Sequence, residues 1–214
     1  MIRFLFLLVV SSFSLSAVPV TAIDRLAKEI ETKVIQWRHH VHQHPELSNQ
    51  EVQTAAFIAQ HLRDLGIEVQ TGVAGHGVVG LLRGGKPGPV VALRADMDAL
   101  PVTEKTGLPY ASTVTAPYGD KEVGVMHACG HDAHVAILMG TAEVLVGVRE
   151  DLAGTVKFIF QPAEEGAWPA PEWGAKLMIT EGVLENPKVD AIFGLHVWSS
   201  MPSGVIGLRP GPVM

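Results

Sequence analysis

The chain has a single cysteine among 214 residues, no run of basic side chains, and no apolar stretch long enough to cross a bilayer. One cysteine cannot build an internal disulfide framework, so cysteine pairing says nothing about the redox state of the compartment. The 16 Lys and Arg are isolated from one another and outnumbered by 22 Asp and Glu, which leaves a formal charge of −6. That balance excludes nucleic acid or an anionic membrane surface as the main partner. The strongest apolar run, Phe4 to Val10, is far shorter than the ~20 residues a membrane helix needs. Internal repeats, low-complexity segments and flexible linkers are also lacking.

What is present is enough apolar sequence, 47 %, for one large domain or two small ones. Arg3, the run Phe4–Val10, a Ser-rich stretch and Val20-Thr21-Ala22 have the layout of a secretory signal cleaved after Ala22. The expectation is an exported protein, periplasmic or secreted, with residues 1–22 as signal peptide, residues 23–214 as the folded domain, and no membrane span in the mature chain.

Residues Asp24 to about Val41 carry Leu26, Ile30, Val34 and Trp37 at helical spacing. Ser48-Asn-Gln-Glu51 reads as a capping box opening a second helix, whose apolar face runs from Val52 to Leu65 and which Gly66 closes. Short β-type runs, Ile67–Val69 and Val78–Leu82, precede a turn over Gly84–Pro89. Three longer runs then end in chemistry-bearing residues: "VVALRADMD" in Asp96 and Asp98, "TVKFIFQPAEE" in Glu164 and Glu165, "AIFGLHVW" in His196. Helical segments lie between them, at about Ala133–Val148 and Ala175–Glu181. Apolar strands alternating with helices predict an α/β fold, a three-layer α/β/α sandwich around a mostly parallel sheet. Ligands of such sheets bind beyond the carboxyl ends of the strands.

"VMHACGHDAHVAIL" puts Cys129, His131 and His134 just ahead of one of those helices. Singly, each candidate has a bland reading: a buried small cysteine, a hydrogen-bonded histidine, a solvated pair of glutamates. Together, thiolate, imidazole and carboxylate at one sheet edge suit a borderline-soft divalent ion. Adjacent carboxylates also suit a hydrolytic site, where one binds metal and the other takes a proton from water. A cysteine nucleophile is the alternative, with the helix start lowering the Cys129 pKa and His131 or His134 as base. That reading leaves Glu164, Glu165 and His196 without a task. A second cluster, "RHHVHQHPEL", could pair His39 with His42 or His40 with His44 on a helix face, and structural hydrogen bonding is its expected role. Trp168, Trp173 and Trp198 flank the site segments as pocket or core residues.

"RHHVHQHPELSNQE", "ALRADMDALPVTE", "MHACGHDAHVAILMGTA", "FIFQPAEEG" and "GLHVW" stand in this order in the chain. With them the sequence resembles the metal-dependent amidohydrolases of the aminoacylase/carboxypeptidase superfamily. Within it the sequence most resembles the branch holding hippurate hydrolase, N-acetyldiaminopimelate deacetylase and the auxin-conjugate hydrolases. The resemblance implies two divalent metal ions (Zn, Mn, Co or Ni) held by Cys129, His131, Glu165 and His196. It makes Glu164 the general base and Asp98 the acid that orients a ligand or tunes that base, and leaves Asp96 and His134 without assigned roles. The implied reaction is hydrolysis of the amide bond of N-acyl amino acids or similar small amides. It also implies a covering and dimerisation domain and a further histidine ligand beyond the segment seen here, with a homodimer possible only in that longer form. The rival expectation is a catalytically inactive, truncated metal-binding or interaction protein.

Overall fold

The computed structural model describes residues 18–166 and 170–208. Most of the expected signal segment, residues 1–17, and Trp168 lie outside the described residues. Among those described, no helix is long and apolar enough to cross a membrane.

Two helices come first among the described residues, α1 over Val20–Gln43 and α2 over Val52–Asp64. They are followed by strands β1 (Glu68–Val73), β2 (Gly77–Arg83) and β3 (Lys86–Asp96). A small hairpin, β4 (Thr115–Tyr118) with β5 (Lys121–Gly124), leads to helix α3 over His131–Gly147. Strand β6 (Ala153–Gln161), helix α4 (Gly174–Thr180) and strand β7 (Ala191–Gly194) complete the order. Helix α1 starts before Ala22, so the expected cleavage point falls within its first turn.

The main sheet has the order β1-β2-β6-β3-β7. The three long runs that end in site residues are its parallel part, with β3 flanked by β6 and β7. The β1–β2 hairpin adds two antiparallel pairings, β1 with β2 and β2 with β6, so the sheet is mixed. The sequence turn after Gly84 is shorter than expected because β3 begins at Lys86 and takes up the excess as a bulge before Val90.

Alternation along β6 sorts the core into two layers. Val156, Phe158 and Phe160 face the first three helices, packing with Ile58, Leu62, Leu138 and Met139. Ile159 faces the other way, with Val79, Ala92, Met178 and Val183. Helices α1 and α3 approach closely at Gly140, where a Cβ would meet Val34 at 2.7 Å. Strand β7 is the outermost strand on its side and is exposed along its length.

The capping box is a correction. Glu51 stands at the N-cap of α2, but neither its side chain nor that of Ser48 caps the helix. Glu46 does that work, its carboxylate accepting from the amides of Gln53 and Thr54 at 3.0 and 2.8 Å. The closing glycine is as expected: Gly66 sits at φ +70°, beyond the last turn of α2.

Candidate metal centre

The registers pair Asp96 with Gln161 and Arg94 with Gly194, so the segments leaving β3, β6 and β7 leave side by side. They carry Asp98, the pair Glu164–Glu165, and His196. Across from them the loop after β5 delivers Cys129, and α3 begins at His131, two residues before the expected Ala133. Gly130, at φ +86°, makes the turn between them. A Cβ there would collide with the side chain of Val197, next to His196.

Hydrogen bonds fix which nitrogen of each imidazole is free. His131 Nδ1 donates to the Asp98 backbone oxygen at 2.9 Å, with Asp98 Oδ1 at 3.2 Å. Its Nε2 is buried without a hydrogen-bond partner and faces Asp96 Oδ2, Glu164 Oε2 and Glu165 Oε1 at 3.7, 3.9 and 3.9 Å. His196 Nδ1 donates to its neighbour's carbonyl, Val197 O, at 2.6 Å, and its Nε2 lies 3.6 Å from Cys129 Sγ. Both rings thus present Nε2 inward while the other nitrogen is tied to an oxygen, the arrangement that orients metal-binding histidines. His134 is the reverse. Its Nε2 accepts from the Val197 amide at 2.9 Å, which leaves the proton on Nδ1, buried 3.3 Å from Asp96 Oδ2 without a hydrogen bond to it.

Among the described residues, two sets of donor atoms lie, each within itself, no more than 4.8 Å apart: Cys129, His131 and Glu165, and Asp96, His131, His134 and His196. The residues therefore fit a metal centre by their chemistry, with soft, borderline and hard donors converging and buried polar atoms left unpaired. Asp96 enters the cluster although the resemblance assigns it no role. It forms an ion pair with Arg94, which also donates to Gln161 at 3.0 Å.

The electrostatics agree with a cation at this place. Burial would depress the pKa of His131, but its bond to Asp98 and the charges of Asp96 and Asp98 prevail and raise it. Burial raises Glu164, reinforced by Asp96 and Glu165. Asp98 is held low despite burial by hydrogen bonds from His131, Ser48 and the Glu165 amide. Burial, and then Glu165, push the Cys129 thiol up to about 12. A cysteine nucleophile needs the opposite shift, whereas a cation amid these carboxylates would favour the thiolate.

The second histidine cluster is structural. His42 spends both ring nitrogens, on Asp132 at 2.9 Å and Glu104 at 3.2 Å, while Arg38 also reaches Asp132. His39 stacks on Tyr110, and His44 bonds the His40 carbonyl. Trp198 lies exposed beside His196, ring centres 5.9 Å apart, and Trp173 precedes α4.

A sequence profile of peptidase family M20/M25/M40 matches residues 92–212. Thermostable carboxypeptidase 1 of Saccharolobus solfataricus is 50 % identical over 188 residues, which cover 87 % of this chain and 44 % of the relative. An N-acyl-L-amino acid amidohydrolase of Geobacillus stearothermophilus is 44 % identical, over 90 % of this chain and 48 % of its own. The solved Bacillus subtilis YXEP protein, described as a dinuclear metal binding peptidase, superposes with a TM-score of 0.75 at 45 % identity, over 86 % of this chain and 48 % of that one. The chain spans about half the length of these relatives.

Proposed function

The chain belongs to peptidase family M20/M25/M40, and from that premise we propose that its sheet edge holds two divalent metal ions and that the protein hydrolyses the amide bond of N-acyl amino acids. The observation that carries this reading is the meeting of two donor sets at His131, one with Cys129 and Glu165 and the other with His196, whose Nε2 lies 3.6 Å from Cys129 Sγ. These four side chains are the proposed ligands. The substrate class rests on the relative named for N-acyl-L-amino acids.

Bound divalent ions would polarise a scissile carbonyl and acidify a water. The chain's own residues do the remainder. Asp98 fixes the His131 ring through Nδ1. Glu164, less enclosed than Glu165 and with its pKa raised, takes the proton from the attacking water at its carboxylate. As the C–N bond breaks, the proton passes to the departing amine. Trp198 offers an exposed ring beside His196 for an apolar acyl group.

The experiment removes metal with a chelator, restores it with zinc, manganese, cobalt or nickel, and assays N-acetyl and N-benzoyl amino acids. Turnover should vanish and return with metal. Glu164→Gln should abolish turnover and keep metal content, while Glu165→Gln should lose metal as well. Full activity in the stripped protein, or equal metal loss in the two variants, would overturn the assignment.

A further inference from the structure

The segment Glu46–Glu51 has so far no part in the proposed chemistry, yet it is bonded to both carboxylate-bearing loops. Leu47 bridges to Ala99, and the Ala99 amide donates to the Glu46 carbonyl at 2.8 Å. Ser48 donates to Asp98 Oδ2 at 2.6 Å, the same oxygen that accepts from the Glu165 amide at 3.0 Å.

Glu51 is fully buried. Its Oε1 accepts from the Ala163 amide at 2.7 Å, and its Oε2 has no hydrogen-bond partner. Ala163 sits at φ +51°, a left-handed conformation that costs a residue with a Cβ roughly 1–2 kcal/mol. It immediately precedes Glu164 and Glu165. Burying a carboxyl group is costly even where backbone amides face it, and the first amides of α2 are already met by Glu46. The contact instead holds the peptide that leads directly into the glutamate pair.

We propose that Glu51 is a positioning residue: through the Ala163 amide it locks the left-handed turn that aims Glu164 and Glu165 at the centre. This rests on the metal-centre reading above. Ser48 acts from the other side, by fixing Asp98 and through it the Glu165 amide.

The test compares the whole chain with Glu51→Leu, which fills the space without an acceptor, and Glu51→Gln, whose amide oxygen still accepts. Co2+ is titrated into each while its visible spectrum is recorded, with far-UV circular dichroism as the check on folding. Glu51→Leu should stay folded but bind Co2+ roughly 10–100-fold more weakly, as when other supports of metal ligands are lost, with an altered visible band. Glu51→Gln should keep the affinity and band of the unsubstituted chain. An unchanged Glu51→Leu, or a folded Glu51→Gln as impaired as Glu51→Leu, overturns the proposal. Exchange of the Ala163 amide proton in metal-free protein needs neither cobalt nor a folded leucine variant. Slow exchange in the unsubstituted chain and in Glu51→Gln supports the lock, and fast exchange in the unsubstituted chain overturns it. Failure of the unsubstituted chain to bind Co2+ would defeat the metal reading, and the amide measurement would still judge the lock.

Discussion

His131 and His134 lie one turn apart on α3, yet their hydrogen bonds give them opposite free nitrogens. At the scale of single residues this is the recurring lesson: type is written in the sequence, but role follows from the partner of each polar atom. Glu51 shows it most sharply. Burial raises its carboxyl to about 7 from an ordinary 4.5, helped by the charge of Asp98. In the folded chain it keeps its proton up to about pH 7, while in the unfolded chain it releases it near 4.5. The folded state therefore binds more protons between these values, and stability contributed by this group falls as pH rises through that window. The full shift corresponds to roughly 3–4 kcal/mol, at about 1.4 kcal/mol per pKa unit. Urea unfolding of metal-free protein at a series of pH values should show the stability of the unsubstituted chain falling, relative to Glu51→Gln, from pH 4.5 to 7. Parallel pH profiles for the two proteins would contradict it.

Among elements, the start of α3 matters most to the centre. Gly130 turns the chain at φ +86° and leaves room for Val197, whose amide is held by His134. One glycine thereby sets two things: where His131 enters the helix and how close the His196 loop can lie. Gly130→Ala adds a left-handed penalty of roughly 1–2 kcal/mol and a collision with Val197 that only the loop can relieve. It should lower thermal stability modestly while weakening Co2+ binding out of proportion, since His196 is the residue displaced. A variant that loses stability but keeps the cobalt spectrum and affinity would show that the loop does not depend on this contact. Helix α2 illustrates why a local pattern misleads. Ser48 and Glu51 have the spacing of a capping box, but Asp98 and the Ala163 amide compete for them and win. Glu46 then caps the helix from outside the pattern.

On the scale of the whole molecule, two layers flank the sheet, and a buried lysine ties the smaller one down. Lys157 points from β6 into the α4 side, 2 % exposed, and donates to the carbonyls of Val183, Glu185 and Pro187 at 2.9, 2.7 and 3.0 Å. All three of its donors are used, so the ammonium is tolerated, although burial lowers its pKa. Lys157→Met keeps the packing and strands three acceptors, and should cost about 1–3 kcal/mol in urea unfolding. Because it lies on the α4 side of the sheet and touches none of the proposed ligands, Co2+ binding should persist. Loss of cobalt binding in a folded Lys157→Met would mean that the two layers are coupled through the sheet. The alternation of apolar strands with helical segments, and the acids and histidine at the strand ends, were readable from the sequence, because periodicity and residue type are local properties. The β4–β5 hairpin, the early start of α3 and the inclusion of Asp96 in the cluster were not. Least readable of all were the jobs of Ser48 and Glu51, whose partners lie 50 and 112 residues away. No local pattern encodes such a pairing; only the folded chain, by bringing a buried carboxylate to an amide with no other acceptor, decides which contact is made.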